Sequence, residues 1–486
     1  MRRRTMKTLC ILLLSGLAAF AASSPVADAV QNRDASALQA LLKQHASVNA
    51  AQPDGTSALH WAAHWNDSAT VGLLLQAGAD AKAVNHYGAT PLSEAASLGN
   101  AAIIEQLLKA GADPNTRTTA DGETVLMTSA RAGNQDAVKV LLEHGADVNA
   151  KEAYRGQTAL MWAAAERHAD VVKLLLQHGA DWKVQSSFRE TKIPKLSTAS
   201  SISPISRGGL TAFLFAAREG DIATAKAMLD QGVDINQTDV DGTSGLVVSI
   251  MNKQYTFAKF LLDRGADPNV MDVKGRGALY AAVDMRNEDW SALPMRKEMD
   301  PLPSSELIQA ILARHANVNA KLTHNLPGRS GMDYGDVALD EGTTPFMRAA
   351  RSGDTATMRV LLEAGADPKL VTKDGNNALL FAAGVGYRDK QTQGTEAEAL
   401  QALQLCIDQG LDLSQANAKG ETALHGAANR GSDLLVQFLV AHGAKLDVKS
   451  KQGFTPLDIA MGKDSFSLPV PHDSTVALLR RLQDGQ

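Results

Sequence analysis

The amino-acid sequence predicts an all-α repeat solenoid, and three observations carry that prediction. A Gly-x-Thr-x-Leu-like start recurs at Gly55, Gly88, Gly122, Gly156, Gly209, Gly242, Gly275, Gly342, Gly375, Gly420 and Gly453, and seven of these ten intervals are 33 or 34 residues. Most starts are followed by a Gly-Ala-Asp-x-Asn-like end, as at Gly145–Asn149. Hydrophobic residues make up 44% of the chain and aromatic residues only 5%, so alanine and leucine, not rings, must build the interior. A fixed period of this length means stacked supersecondary units in place of one globular core.

Residues 88–115 show how one unit forms. Thr90 suits an N-cap, and Pro91 follows at the first helical position, where its missing N–H costs nothing. An Ala-rich helix then runs to Ser97, and Gly99-Asn100 turns the chain. A second helix carries Ile103, Leu107 and Leu108 at helical spacing and ends at Gly111, where a left-handed residue is needed. Ala112-Asp113-Pro114-Asn115 leads as a polar turn to the next start. Two helices this short are marginal alone and gain stability by stacking on neighbouring units.

These residues resemble the ankyrin repeat. Its Thr-Pro-Leu-His-x-Ala start stands as Thr56-Ser57-Ala58-Leu59-His60-Trp61-Ala62-Ala63, displaced by one in the Thr-Pro register, and more closely as Thr422–Ala427 and Thr455-Pro456-Leu457. The resemblance covers residues 26–482, with Ala29–Asn49 as a truncated first unit, making about twelve units in all. It implies a curved helical solenoid with projecting β-hairpin fingers, used to bind proteins. The stretches Glu341–Ala350 and Ala382–Gly386 also resemble those of exported bacterial ankyrin-repeat proteins.

The N-terminus bears on the compartment. Arg2, Arg3, Arg4 and Lys7 precede an apolar run, Leu9–Ala22, too short to span a bilayer comfortably, and Ala19-Phe20-Ala21 suits signal peptidase. Residues 1–21 therefore read as a cleaved signal peptide, and the mature chain as periplasmic or secreted, with no membrane insertion after cleavage. Cleavage would remove Cys10 and leave Cys406 as the only thiol, a small buried side chain with no disulfide partner. It would also change the formal charge from −5 to −9, since four basic and no acidic residues are lost. Such a balance disfavours nucleic acid and polybasic membrane docking.

Insertions separate three repeat tracts: residues 26–181, 208–285 and 341–482. The first insertion, 182–207, is serine-rich and carries Lys183, Arg189, Lys192, Lys195 and Arg207 against Glu190 alone, so it enlarges a finger into a basic arm or a solvated excursion. Residues 286–305 separate the two helices of one repeat and hold Trp290, Met295 and Met299, which cap the stack or meet a partner; residues 306–320 complete that repeat. Residues 321–340 extend the following finger, and 386–397 again lie between helices. Insertions in such arrays often mark a binding face.

One row of the first helices varies from repeat to repeat: Trp61, Glu94, Thr128, Trp162, Phe215, Val248, Ala281, Arg348, Phe381, Gly426 and Ile459. A row set only by packing should look alike throughout. Trp61, Trp162 and Phe215, with Trp65 one turn on and Tyr87 and Tyr154 near finger tips, read as a protein-binding patch that includes Glu94. The other reading lays these rings over alanines as added packing.

Catalytic constellations are absent: the sequence holds no HExxH, Walker loop, CxxCH or G-x-S-x-G. His45, His144, His178, His315 and His442 recur before the Gly-Ala turn or its equivalent, and His60 and His425 hold the bracing position of the repeat. Asp80, Asp113, Asp147, Asp181, Asp267 and Asp367 recur after Gly-Ala and are expected to bond turn backbone. Met295-x-x-x-Met299 is too sparse for a copper site. The expectation is a non-catalytic scaffold of the cell envelope, without cofactor or metal, holding an exported protein. A secreted effector acting on a foreign protein and an accessory subunit completing a partner's enzyme site are the alternatives.

Overall fold

The structure, a computed structural model, describes residues 24–118, 121–191, 205–287, 300–326, 338–387, 394–463 and 471–485. The signal-peptide segment with Cys10, and the insertion residues Trp290, Met295 and Met299, lie outside the described residues. The chain divides into an N-terminal block, Met1–Ala150, and a C-terminal block, Lys151–Gln486.

The N-terminal block holds four helix pairs: α1 (Pro25–Gln31) with α2 (Ala35–Lys43), α3 (Ala58–His64) with α4 (Ser68–Gln76), α5 (Pro91–Leu98) with α6 (Ala101–Lys109), and α7 (Val125–Arg131) with α8 (Gln135–Glu143). The C-terminal block opens with α9 (Ala159–Ala165) and α10 (Ala169–Gln177), followed by a two-stranded ribbon of β1 (Arg189–Thr191) and β2 (Ile205–Arg207). Three pairs follow: α11 (Ala212–Glu219) with α12 (Ile222–Leu229), α13 (Gly245–Met251) with α14 (Tyr255–Asp263), and α15 (Ala278–Arg286) with α16 (Ser304–Leu312). Four more complete it: α17 (Pro345–Arg351) with α18 (Thr355–Glu363), α19 (Ala378–Ala383) with α20 (Glu396–Asp408), α21 (Ala423–Arg430) with α22 (Asp433–Ala441), and α23 (Pro456–Ala460) with α24 (Asp473–Asp484). Within each block the first helix of a pair packs on the first helix of the next. The first repeat is not truncated: α1 begins at Pro25, upstream of the expected start at Ala29.

Local chemistry starts many of the helices as the sequence predicts. Thr90 accepts the Ser93 amide with Pro91 at the first helical position, and Thr124, Thr158, Thr211 and Thr344 cap in the same way. In α3 the cap is Ser57, so this repeat shares the common register after all and Thr56 precedes the cap. Second helices are capped by Asp34, Asp67, Asn100, Asp221, Asp354 and Ser432.

The core is a column of one recurring position, four residues before the turn glycine or its equivalent. Leu74, Leu107 and Leu141 fill it in the N-terminal block; Leu175, Met228, Leu261, Ile311, Leu361, Cys406 and Leu439 fill it in the other, all fully buried. Truncating one such leucine to alanine costs about 2–5 kcal/mol. Cys406 stands where most repeats have leucine, and burial pushes its thiol up to about 12. It is the inert apolar side chain expected.

The recurring aspartates behave as expected. Asp80, Asp113 and Asp147 each accept the amide two residues on, at 2.8, 2.9 and 2.9 Å. Where the motif ends in asparagine, as it does at Asn49, Asn115, Asn269 and Asn319, that side chain staples the next repeat. Asn49 Oδ1 accepts the Asp80 amide at 2.8 Å, and Asn115 Oδ1 the Asp147 amide at 2.7 Å. Asn269 Oδ1 accepts the Asn317 amide at 2.7 Å and Asn319 Oδ1 the Asp367 amide at 2.8 Å, across separations of 48 residues where insertions intervene.

The fingers are tighter than the hairpins expected. Outside β1–β2, extended pairing is confined among the described residues to two bridges, Arg117 with Thr124 and Thr238 with Ser244. Fingers join by single backbone bonds such as Lys373 N to Glu341 O at 2.7 Å and Ala418 N to Asp374 O at 2.7 Å. In the basic insertion, β1 and β2 pair antiparallel with Arg189 opposite Arg207, so its base lengthens a finger as expected.

Candidate protein-binding surface

In the N-terminal block three of the expected residues come together. Trp61 on α3 lies half-buried beside Leu59 and Ala62, which face the core, and its indole N–H donates to Gln52 Oε1 at 2.8 Å. One turn on, Trp65 stacks on it with ring centroids 6.0 Å apart and planes 23° from parallel. His64 packs edge-on to both rings, and its Nδ1 lies 3.0 Å from Glu94 Oε2 on α5. The Arg33 guanidinium lies 4.1 Å from the Trp65 ring centre. The result is a braced aromatic shelf edged by one cation and one carboxylate. Tyr87 stands 80% exposed in the turn between α4 and α5 and joins no ring of this cluster among the described contacts.

The C-terminal block treats the same row differently. Trp162 on α9 is half-buried like Trp61. Tyr154 is 56% exposed in a finger turn that the Glu152 carboxylate organises by accepting the amides of Tyr154, Arg155 and Gln157 at 2.6–2.9 Å. Phe215 departs from the expected exposed patch. It is 4% exposed, with the Arg218 guanidinium 4.8 Å from its ring centre. From there the whole row is buried: Val248, Ala281, Arg348, Phe381, Gly426 and Ile459. For Phe215 and its successors the packing alternative holds.

The insertions explain part of that burial. Arg348, 1% exposed, donates to Asp284 Oδ1 at 2.6 Å, to Ser352 Oγ at 2.8 Å and to the Asn287 carbonyl at the start of the first inter-helix insertion. Arg351 donates to the carbonyls of Val385 and Gly386 at 3.1 and 2.7 Å, tying α17 to the turn after α19. Asn429 Nδ2 donates to the carbonyls of Gly384 and Tyr387, at 3.3 Å each. Position 426 must be glycine because an added Cβ would stand 2.7 Å from Val385 N. The variable row here records close backbone approach as much as any partner.

These turns frame a cavity of about 520 Å³ in the C-terminal block, which pattern reading did not foresee. Ala338 from the extended finger and Gly386 and Tyr387 from the inter-helix turn line it. Asp374, Asn376, Asn417, Glu421 and His425 also line it. Its parts come from fingers and insertions distant in sequence, so no local spacing announces it. Beside Asp374 lies the buried Asp340, whose pKa is raised to about 6, first by burial and then by the Asp374 charge.

The histidines brace the fold. His60 is buried between Ser57 Oγ at 2.8 Å and the Ala89 carbonyl at 3.0 Å, and burial holds its pKa below the ordinary 6.5. His425 repeats this with Thr422 Oγ1 at 2.9 Å and the Phe454 carbonyl at 3.1 Å. His144, His178 and His442 bond a carbonyl of their own helix. His45 and His315 differ from expectation: with φ of 57° and 59°, each occupies the left-handed glycine position itself instead of preceding it. Among the described residues no group of three or more His, Cys, Asp or Glu could hold a metal ion, and no helix is long and apolar enough to cross a membrane.

Comparison with known families decides the relationship. A model described as ankyrin repeats (3 copies) matches residues 26–118, 110–186, 198–291 and 393–468, and a single ankyrin repeat matches 341–373, together more than half of the chain. The chain belongs to the ankyrin-repeat family. Its ankyrin repeats are 34% identical over 118 residues to mouse ankyrin repeat and SOCS box protein 16, covering 24% of this chain and 25% of that protein. They are 28% identical over 223 residues to human ankyrin repeat and SOCS box protein 18, covering 37% and 47%. A nematode (Caenorhabditis elegans) homolog of transient receptor potential cation channel subfamily A member 1 is 30% identical over 124 residues, covering 25% and 9%. The chain thus spans less than half the length of these curated relatives. The crystal structure of the human ASB11 ankyrin repeat domain is similar at 24% identity and a TM-score of 0.38, covering 47% of this chain and 92% of that one. Ankyrin repeats are typically non-catalytic binding domains, and both family models that match are ankyrin repeats.

Proposed function

We propose that this ankyrin-repeat chain is a non-catalytic scaffold of the cell envelope that holds another exported protein. The observation that carries the binding reading is the Trp61–Trp65 stack, braced by Gln52 and edged by Arg33 and the His64–Glu94 pair. Large half-exposed rings held in fixed rotamers are the residues on which interface energy concentrates. Tyr87, Trp162 and Tyr154 supply further contact area on their own blocks, whereas Phe215 contributes from beneath. Several adjacent repeats supply the ~1,600 Å² that a specific interface buries. Export is supported by the basic N-terminus, the short apolar run and the small residues after it.

Crosslinking the tagged chain inside intact cells, followed by mass spectrometry, tests the reading. A partner captured by the wild type and lost in Trp61→Ala/Trp65→Ala supports it; undiminished capture by the double variant rejects the surface. Sequencing the N-terminus of the mature protein from the envelope fraction tests export. An intact Met1 in a chain confined to the cytoplasm rejects that part.

A further inference from the structure

The first fingers of the C-terminal block carry apolar side chains that the fold does not ask for. Tyr154, Val240 and Val273 each stand two residues before a turn glycine, namely Gly156, Gly242 and Gly275. With Phe188, from the finger between the first two, they are 36–59% exposed. The same position holds Lys373 and Lys451 before Gly375 and Gly453, so the turn itself is indifferent to what stands there. Apolar residues scattered singly over a surface need no explanation, but these four lie on successive fingers.

Backbone contacts set the four side by side. Ser187 N donates to Arg155 O at 2.6 Å, and Val273 N to Asp241 O at 2.8 Å. Between these joints, Gly208 lies against Phe188 and Gly209 against Val240, where an added Cβ would come within 3.0 and 2.8 Å of them. Thr323 N continues the line by donating to Lys274 O at 2.8 Å. The result is an apolar ridge on fixed backbone, which a partner can meet without first ordering it.

The charge around the ridge is mostly of one sign, because the carboxylates of these fingers turn onto their own backbone. Glu152 accepts the amides of Tyr154, Arg155 and Gln157, and Asp239 those of Asp241 and Thr243. Asp272 accepts the amides of Lys274 and Arg276 and the Arg276 guanidinium. Asp241 alone adds a negative group, beside Lys274. The exposed Lys151, Arg155 and Lys321 form no ion pair among the described residues, and the Arg155 guanidinium lies 5.5 Å from the Tyr154 ring centre. We propose that this row of finger tips docks an acidic amphipathic segment of a partner protein. Its apolar side chains meet Tyr154, Phe188, Val240 and Val273, and its carboxylates face Lys151, Arg155 and Lys274. An anionic membrane fits less well, since the whole chain carries a formal charge of −5 and the ridge has no tryptophan or leucine to insert. The proposal rests on the scaffold reading for Tyr154 alone, and the tryptophan shelf belongs to the other block.

Fluorescence anisotropy of the full chain tests this with a labelled amphipathic peptide of about 15 residues, leucine at helical spacing and glutamate elsewhere. A copy with lysine in place of glutamate is the comparison. The acidic peptide should bind roughly tenfold more tightly than the basic one, by a margin that shrinks as salt rises. Tyr154→Ser/Val273→Ser and Arg155→Glu/Lys274→Glu should each weaken it about tenfold. Leu434→Ser, at an exposed apolar residue of α22, should leave it unchanged, as should Trp61→Ala/Trp65→Ala, which separates this ridge from the shelf. Circular dichroism of each variant verifies the fold, and Lys151→Glu/Arg155→Glu serves if the Lys274 variant does not fold. Equal affinity for the two peptides, no binding of either, or binding untouched by Tyr154→Ser/Val273→Ser would overturn the proposal. So would binding lost with the two tryptophans. Tighter binding to phosphatidylglycerol vesicles than to the acidic peptide, lost in the same finger variants, would overturn it in favour of a membrane surface.

Discussion

Replacing Asp340 by asparagine should stabilise the chain at alkaline pH and leave it nearly unchanged in acid. In the native state burial and the neighbouring Asp374 charge lift the Asp340 pKa from the ordinary 3.8 to about 6. The folded chain therefore holds a proton between those values that the unfolded chain releases. This group's contribution to stability is greatest below pH 3.8 and is lost as pH rises through 6. A displacement of about two pH units corresponds to ~3 kcal/mol, and solvent screening at the exposed Asp374 reduces the expected effect to about 1–2 kcal/mol. Asp340→Asn removes that penalty. The amides of Gly342 and Thr343, which donate to the Leu322 and Asp340 carbonyls at 2.8 and 3.1 Å, are the local reporters. Native-state hydrogen exchange at pH 8 and pH 4, corrected for intrinsic rates, should show their opening free energy raised by about 1–2 kcal/mol at pH 8 only. Equal stabilisation at both pH values, or loss of stability at pH 8, would refute the reasoning.

Other substitutions separate packing from recognition. Trp61→Ala/Trp65→Ala should weaken partner capture by at least 2 kcal/mol, about thirtyfold, with helicity by circular dichroism unchanged. Gly426→Ala drives a Cβ to 2.7 Å from Val385 N and should cost about 1–3 kcal/mol in urea unfolding. Gly410→Ala, with open space around its Cβ, should cost only ~1 kcal/mol of left-handed strain. His60→Ala removes the ring's bond to the Ala89 carbonyl, which keeps only the Asn85 amide, and opens a core void, an expected loss of about 2–4 kcal/mol by the same assay. Cys406, buried with its thiol pushed up to about 12, should resist iodoacetamide in the native chain and react at once in denaturant.

What could be read from the sequence was whatever acts within one repeat. Thr90, Pro91, Gly99 and Gly111 mark cap, first turn, helix end and terminus because each solves a backbone problem inside a few residues. The buried leucine column and the aspartate turns follow from the same period. Ser57 shows the limit of motif matching: hydroxyl chemistry, not the letter threonine, fixes the cap. The aromatic shelf was legible in part, since Trp61 and Trp65 lie one turn apart on one helix. Their tie to Arg33 was not, because it depends on the geometry of the preceding repeat. Phe215 was misread as part of the exposed patch; it is 4% exposed with the Arg218 guanidinium over its ring, an arrangement that nothing at that row position encodes. The cavity was invisible for the same reason: Ala338 and Gly386 meet across a separation that no periodicity relates.

The asparagine staple has an evolutionary corollary. Its amide always addresses the backbone of the following repeat, and the bond is the same whether the intervening chain is 31 residues, as between Asn49 and Asp80, or 48, as between Asn319 and Asp367. Loops can therefore lengthen by duplication or slippage without disturbing the joint between neighbours. New sequence enters at no cost to assembly and is available for selection, which is how a monotonous array could come to acquire a private interior chamber.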